Sequence, residues 1–215
     1  MQCAQIGIRT GRFLSKKLQL YSCSKVLFNV TNPDDHQLVD KIVRGDGRAF
    51  QVLTRNTQRL VNQIVCRMIS DPRDREDIVQ DVYMKAFHKI SNFRFQCKLS
   101  TWLGQIAYNT CLKYLAKKKL LYLKDDKATE SLQATDDEVE PLLVKKELAA
   151  VLQKAIDTLP PVYQTLVVLF HTEELSNEEI SLITGFPKGT IKSYLFRARK
   201  MLKEILLTNY KREDL

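Results

Sequence analysis

Apolar residues return every three or four positions from Asp34 onward, and that spacing predicts helices. Leu38, Val39, Ile42 and Val43 line one short face, which Arg44-Gly45-Asp46-Gly47 interrupts. Phe50, Leu53, Thr57, Leu60, Ile64, Val65 and Met68 then form the stripe of a long amphipathic helix. Asp71-Pro72 ends it and starts the next, with Asp as cap and Pro at the first helical position. Ile78, Val82, Ala86 and Ile90 carry that third helix. After a loop over 91–98, Ser100 is the expected cap of a fourth, through Leu103, Ile106, Ala107, Thr110, Cys111 and Tyr114.

A second helical unit begins near Leu148 with Val151, Leu152, Ala155, Ile156 and Leu159, and Pro160-Pro161 restarts the chain into 162–170. The expected fold class is all-α, with two small helical domains joined by an acidic linker and a helix-turn-helix in the second. The expected boundaries are a poorly ordered basic extension over 1–33, a first bundle over 34–119, a linker over 120–147 and a second bundle over 148–210. With seven Gly and six Pro in 215 residues, a sheet joined by many tight turns is disfavoured.

Charge sharpens this division. The net charge is +9, but residues 120–147 hold four Lys/Arg against eight acids, while 34–119 hold sixteen against nine. A basic chain with an acidic insert suits a polyanionic partner such as a phosphate backbone; a merely solubilising surface is the alternative. The five cysteines form no C-x-x-C pair, so neither a zinc site nor a disulfide framework is expected. Cys66 and Cys111 fall in helical patterns and read as small core residues, and reduced thiols fit a cytoplasmic protein. No apolar run reaches the roughly 18 residues that span a bilayer. His36, His88 and His171 are scattered, and no Walker loop, G-x-S-x-G or H-E-x-x-H string occurs. Neither an enzyme, a cofactor, a metal site nor a small-molecule substrate is expected.

The candidate chemistry concentrates in three places. In Ser176-Asn177-Glu178-Glu179-Ile180, Ser176 and Glu179 have capping-box spacing; Gly185 suits the end of that helix, and Pro187 the start of the next. With Ile191, Leu195 and Ala198 turned inward, Lys188, Thr190, Lys192, Ser193, Arg197 and Arg199 are left outside. Such a helix suits the major groove, where Arg pairs with guanine and hydroxyls adapt; a helical hairpin with a solvated basic face is the alternative. The second place is Asp74-Arg75-Glu76-Asp77-Ile78-Val79-Gln80-Asp81, read either as acids favouring a helix dipole or as a dock for a basic helix. The third is Phe93, Arg94, Phe95, Lys98, Trp102, Tyr108, Lys113 and Tyr114. These aromatics interleaved with cations suit unstacked bases, while core packing also accounts for Trp102 and Tyr114.

These strings occur in one order: RGDGRAFQVL, REDIVQDVYMKAFHKI, LSTWLGQIAYNTCLKYLAKK, IDTLPPVYQTLVVLF and LSNEEISLITGFPKGTIKSYLFRARKML. In that order the chain resembles the extracytoplasmic-function class of bacterial RNA polymerase sigma factors, over most of residues 34–207. The resemblance implies that 34–119 is sigma region 2 and 148–210 sigma region 4. It implies that Asp77, Gln80 and Asp81 bind core RNA polymerase. It implies that residues 92–113 help melt the −10 element of promoter DNA, with Trp102 and Asn109 matching family positions beside Phe93, Arg94, Lys98 and Lys113. It implies that residues 188–199 read the −35 element, with Lys192, Ser193, Phe196 and Arg197 at positions that contact DNA. The linker is expected to thread toward the polymerase active centre and RNA exit path. An anti-sigma factor, often membrane-associated in the family, is a further implied partner.

The chain departs from the family pattern at Tyr194, where Arg is common, and at Ser181, where Ala is. The loop over 91–98 lacks the usual Gly and Asp, and the basic extension has no counterpart. Two rival readings stand beside the resemblance. An ordinary helix-turn-helix repressor or activator leaves the first bundle unexplained. A DNA-processing enzyme such as a recombinase lacks a recognisable catalytic string.

Overall fold

The computed structural model describes residues 33–122 and 145–209, and every regular element among them is helical. The expected extension therefore lies, save for Pro33, outside the described residues, as do 123–144 of the expected linker. The helices are α1 (Pro33–Val43), α2 (Gly47–Met68), α3 (Pro72–Lys89), α4 (Leu99–Tyr122), α5 (Lys145–Asp157), α6 (Pro161–Val167), α7 (Asn177–Thr184) and α8 (Lys188–Asn209).

Local chemistry sets each start and stop. Gly45 turns the chain at φ +91°, and Asp46 caps α2 by accepting from the N–H groups of Arg48 (2.9 Å) and Ala49 (3.3 Å). At the far end of α2, Arg75 donates from Nε to the Ile69 carbonyl at 2.8 Å and from Nη2 to that of Ser70 at 3.1 Å, covering acceptors the helix leaves open. Asp71 caps α3 by accepting from the Arg73 N–H at 3.0 Å, with Pro72 in the first turn, as the spacing predicts.

The start of α4 departs from expectation. Ser100 lies inside the helix, which begins at Leu99, and the Leu99 N–H donates to Asp35 Oδ2 at 3.2 Å, 64 residues back along the chain. From there α4 runs through the core, with Leu103, Ala107 and Cys111 sealed from solvent. Cys66 corrects the other core expectation: it is exposed, because it sits on the solvent side of α2 between buried Val65 and half-buried Arg67.

In the second bundle Gln164 donates to the carbonyls of Asp157 (2.8 Å) and Leu159 (2.7 Å), tying α5 to α6 across Pro160-Pro161. Leu152, expected on the inner face of α5, is exposed. Past α6 the helix widens into a π-helical turn at Val168–Thr172, and Glu174 reverses the chain at φ +52°. The two bundles share one apolar core, with α7 lying along α4 and α6 against α2. At their junction a Cβ placed on Gly104 would stand 3.0 Å from Ile183 Cδ1, so glycine lets α7 sit close here and any side chain would crowd Ile183.

Candidate nucleic-acid interface

The helix-turn-helix forms as its sequence dictates. Ser176 Oγ accepts from the Glu179 N–H at 3.2 Å, and Glu179 Oε2 accepts from the Ser176 N–H at 2.9 Å, completing the capping box. Gly185 closes α7 at φ +74°, a left-handed turn that disfavours other residues. The Ile191 N–H donates to the Pro187 carbonyl at 3.1 Å as α8 begins. Ile180, Ile183, Ile191, Leu195 and Ala198 are all buried, which fixes the rotation of both helices.

That rotation leaves Lys192, Ser193, Phe196 and Arg197 exposed on the outer face of α8; Phe196 is 70% exposed, far beyond what core packing explains for a phenylalanine. Lys188 is exposed and paired with Glu178, whose carboxyl its ammonium holds below the ordinary value. Thr190 is half-buried. Arg199 is exposed but turned to one edge, its guanidinium 5.8 Å from the Phe170 ring centre, so it borders the face. Tyr194, where the family commonly has Arg, is half-buried between Tyr163 and Phe186 and braces the bundle from within.

On the first bundle, Trp102, Asn109 and Lys113 recur at helical spacing along the side of α4 away from Leu103, Ala107 and Cys111. Trp102 is half-buried, its ring on that of Phe93 with centres 5.2 Å apart, so packing and an available edge coexist. Phe93 itself is 8% exposed, a correction to its reading as a base contact: it lies beneath Trp102 and Phe95 and supports them. Arg94, Asn109 and Lys113 are exposed. Lys98 is exposed and engaged, its Nζ 2.9 Å from Glu179 Oε1 on the helix-turn-helix. Tyr108 is buried, which pushes its hydroxyl up to about 12 and removes it from the solvent-facing set.

The acidic stretch makes a third surface. Asp77, Gln80 and Asp81 are exposed on α3, with Asp81 held 3.1 Å from Lys85. Asp74, Asp77, Ile78, Asp81 and Tyr114 line a shallow groove, in which the Tyr114 hydroxyl donates to Asp74 and Lys118 Nζ lies 3.3 Å from it. Burial first, and then Asp74, raise the Tyr114 hydroxyl above its ordinary value. Among the described residues no cluster of His, Cys, Asp and Glu could hold a metal ion.

Sequence reasoning missed the contacts between the bundles. Arg59 Nε donates to Glu173 Oε1 at 2.9 Å and its Nη2 to the Thr172 carbonyl at 3.0 Å; Arg67 pairs with Asp157. These pairs sit more than 85 residues apart in sequence, beyond the reach of any periodicity. Asp35 also escaped notice, as a polar residue at an ordinary helix start, and His36 was read only as a scattered histidine with no partner in view.

Two helical bundles carry separate basic faces, one of them on a helix-turn-helix, and comparison with known proteins shows the family in which this arrangement belongs. Residues 53–120 match the family described as Sigma-70 region 2, and residues 149–202 that described as Sigma-70, region 4. The chain is 34% identical to the ECF RNA polymerase sigma factor SigW of Bacillus subtilis, covering 78% of this chain and 94% of that protein. It is 32% identical to the ECF RNA polymerase sigma-E factor of Haemophilus influenzae, over 79% of this chain and 93% of that protein. Among solved structures it is similar to the sigma factor RpoE of Bartonella quintana in complex with the anti-sigma factor NepR (TM-score 0.61, 25% identity, 75% of this chain and 98% of that one). Its fold also matches CnrH in complex with the cytosolic domain of CnrY (TM-score 0.57, 19% identity, 82% and 99%). The chain belongs to the extracytoplasmic-function family of RNA polymerase sigma factors. It is an initiation factor that works with polymerase, not a free-standing repressor.

Proposed function

We propose that the protein binds core RNA polymerase through Asp77, Gln80 and Asp81, reads −35 duplex DNA with the outer face of α8, and stabilises the melted −10 strand along α4. It performs no covalent step; polymerase supplies magnesium and nucleotide chemistry, and the work is done in the cytoplasm. One observation carries the reading: Lys192, Ser193, Phe196 and Arg197 stand exposed together on one face of α8. Arg and Lys anchor and read the groove, Ser adapts, and an exposed Phe offers an apolar edge to thymine methyls. On α4, Trp102 supplies a stacking edge and Lys113 a cation for the adjoining backbone. The similar sigma factor RpoE, solved with the anti-sigma factor NepR, supports such a partner here as well.

The closed arrangement cannot read a whole promoter. Elements near −35 and −10 lie about 25 base pairs apart, or roughly 85 Å of duplex at ~3.4 Å per pair. The longest helix among the described residues, α4, has 24 residues and a length of about 36 Å, and α7 packs against it. The bundles therefore separate before both elements are engaged. Holoenzyme formation and promoter-specific transcription test the assignment. Arg197→Ala or Lys192→Ala is expected to cut promoter use roughly tenfold or more, the worth of one base-reading pair, with core binding intact. Changing Asp77 and Asp81 together to Lys should weaken core binding instead. Equal loss of both activities in all variants would refute the division of labour.

A further inference from the structure

The first turn of α1 lies against the loop that joins α3 to α4, and two of its residues hold that loop by different means. Asp35 Oδ2 accepts the Leu99 N–H at 3.2 Å and so caps α4 from another helix, while Ser100, the local candidate, lies inside the helix. His36 stacks flat on Phe95, with ring centres 3.8 Å apart and planes 13° from parallel. Phe95 needs such support, because its backbone sits at φ +55°, in the left-handed region that non-glycine residues rarely occupy. Phe93 packs on Phe95 with centres 4.8 Å apart, and Phe93 in turn packs on Trp102. His36, Phe95, Phe93 and Trp102 thus form one continuous aromatic row, running from α1 to the exposed stripe of α4. Buried Val39 and Ile42 anchor α1 to the body, so the row has a fixed outer end.

We infer that α1 belongs to the strand-opening apparatus, with Asp35 and His36 as positioning residues that hold the loop over 93–98 and the start of α4 in register for the melted strand. The inference rests on the −10 assignment proposed for α4. Neither residue needs to touch DNA. Asp35 fixes where α4 begins, and therefore the rotation at which Trp102 and Asn109 are presented. His36 holds Phe95 in a conformation its backbone disfavours, which keeps Phe93 beneath Trp102.

Permanganate footprinting of the −10 region, with full-length protein in holoenzyme, tests this. Asp35→Ala and His36→Ala should each lower reactivity of the opened strand, by roughly fivefold for the lost cap, with core binding and protection of the −35 duplex unchanged. Asp35→Asn, which still accepts the Leu99 N–H, and His36→Phe, which still stacks, should restore opening. Wild-type opening in both alanine variants would overturn the inference, and so would failure of the conservative pair to rescue. A rise in opening for His36→Ala would also overturn it, since the ring would then be a cover that a base displaces. Should the wild-type holoenzyme itself fail to open promoter DNA, the proposed function fails first, and that result is separate from any difference among variants.

Discussion

Gly104→Ala is expected to release the helix-turn-helix from the first bundle. The added methyl would stand 3.0 Å from Ile183 Cδ1, 3.1 Å from Ile183 Cγ1 and 3.5 Å from Ile64 Cδ1. Ile183 and Ile64 are each 1% exposed, so there is little free space beside them, and relief comes as Ile183 and the stretch of α7 that carries it give by a few tenths of an ångström away from α4. Overpacking of this kind costs about 1–3 kcal/mol. The gain of about 1 kcal/mol in helix propensity from replacing glycine acts on α4 whether the bundles are together or apart, so it cancels from the closed-to-open balance. The ion pairs across the junction cannot compensate. Those of Lys98 with Glu179 and Arg59 with Glu173 each have a substantially exposed partner, which limits them to about 0–1 kcal/mol apiece. The closed form should lose roughly fivefold to a hundredfold in population relative to the open one.

Two measurements read that shift. In the free protein, hydrogen exchange along α7 should quicken and small-angle scattering should broaden, because its Ile183 anchor is withdrawn. In titrations with core polymerase, the apparent affinity should rise by up to the same factor if the closed form withholds the binding-competent state. Unchanged scattering and exchange in Gly104→Ala would refute the claim that this contact holds the bundles together. Faster exchange with unchanged core affinity would refute the idea that closure competes with polymerase.

Two further outcomes follow from titratable groups. Burial pushes the Glu179 carboxyl up, but the Lys98 ammonium and the bonds from Ser176 outweigh it and hold the group below its ordinary value. Its contribution is therefore complete above the unfolded carboxylate value and is lost as pH falls through the lower folded value. Protection of the α7 amides, taken relative to their intrinsic exchange at each pH, should stay flat from neutral pH down to about 5 and fall below the ordinary glutamate range; a fall already between pH 7 and 6 would contradict this. Burial also pushes the Cys111 thiol up to about 12, whereas Cys66 is exposed. Site-resolved alkylation of the native protein at pH 8 should mark Cys66 at least tenfold faster than Cys111; comparable rates would show that the α4 core opens readily.

Local signals were legible and distant ones were not, and Glu179 shows where the boundary falls. Its spacing from Ser176 announces a capping box, and the structure forms that box with Oε2. Helix stripes, the Asp71 cap and the left-handed Gly185 were readable for the same reason: each depends on residues within about one turn of one another. The second oxygen of Glu179 faces Lys98, 81 positions back by subtraction of the two residue numbers, and no period or motif carries that information. The same limit explains the misreading of Ser100, which has the right chemistry for a cap but loses the role to Asp35 from another helix. It explains Phe93 too, since an aromatic beside cations looks alike whether it faces a base or supports the residue that does. Lys98 then acquires two claims on one ammonium. In the structure it answers Glu179 on the helix-turn-helix, and on the proposed function it is released, once the bundles part, to answer a phosphate near the −10 strand. On that proposal, a charge that local sequence assigns to DNA also helps keep the two bundles together until they part.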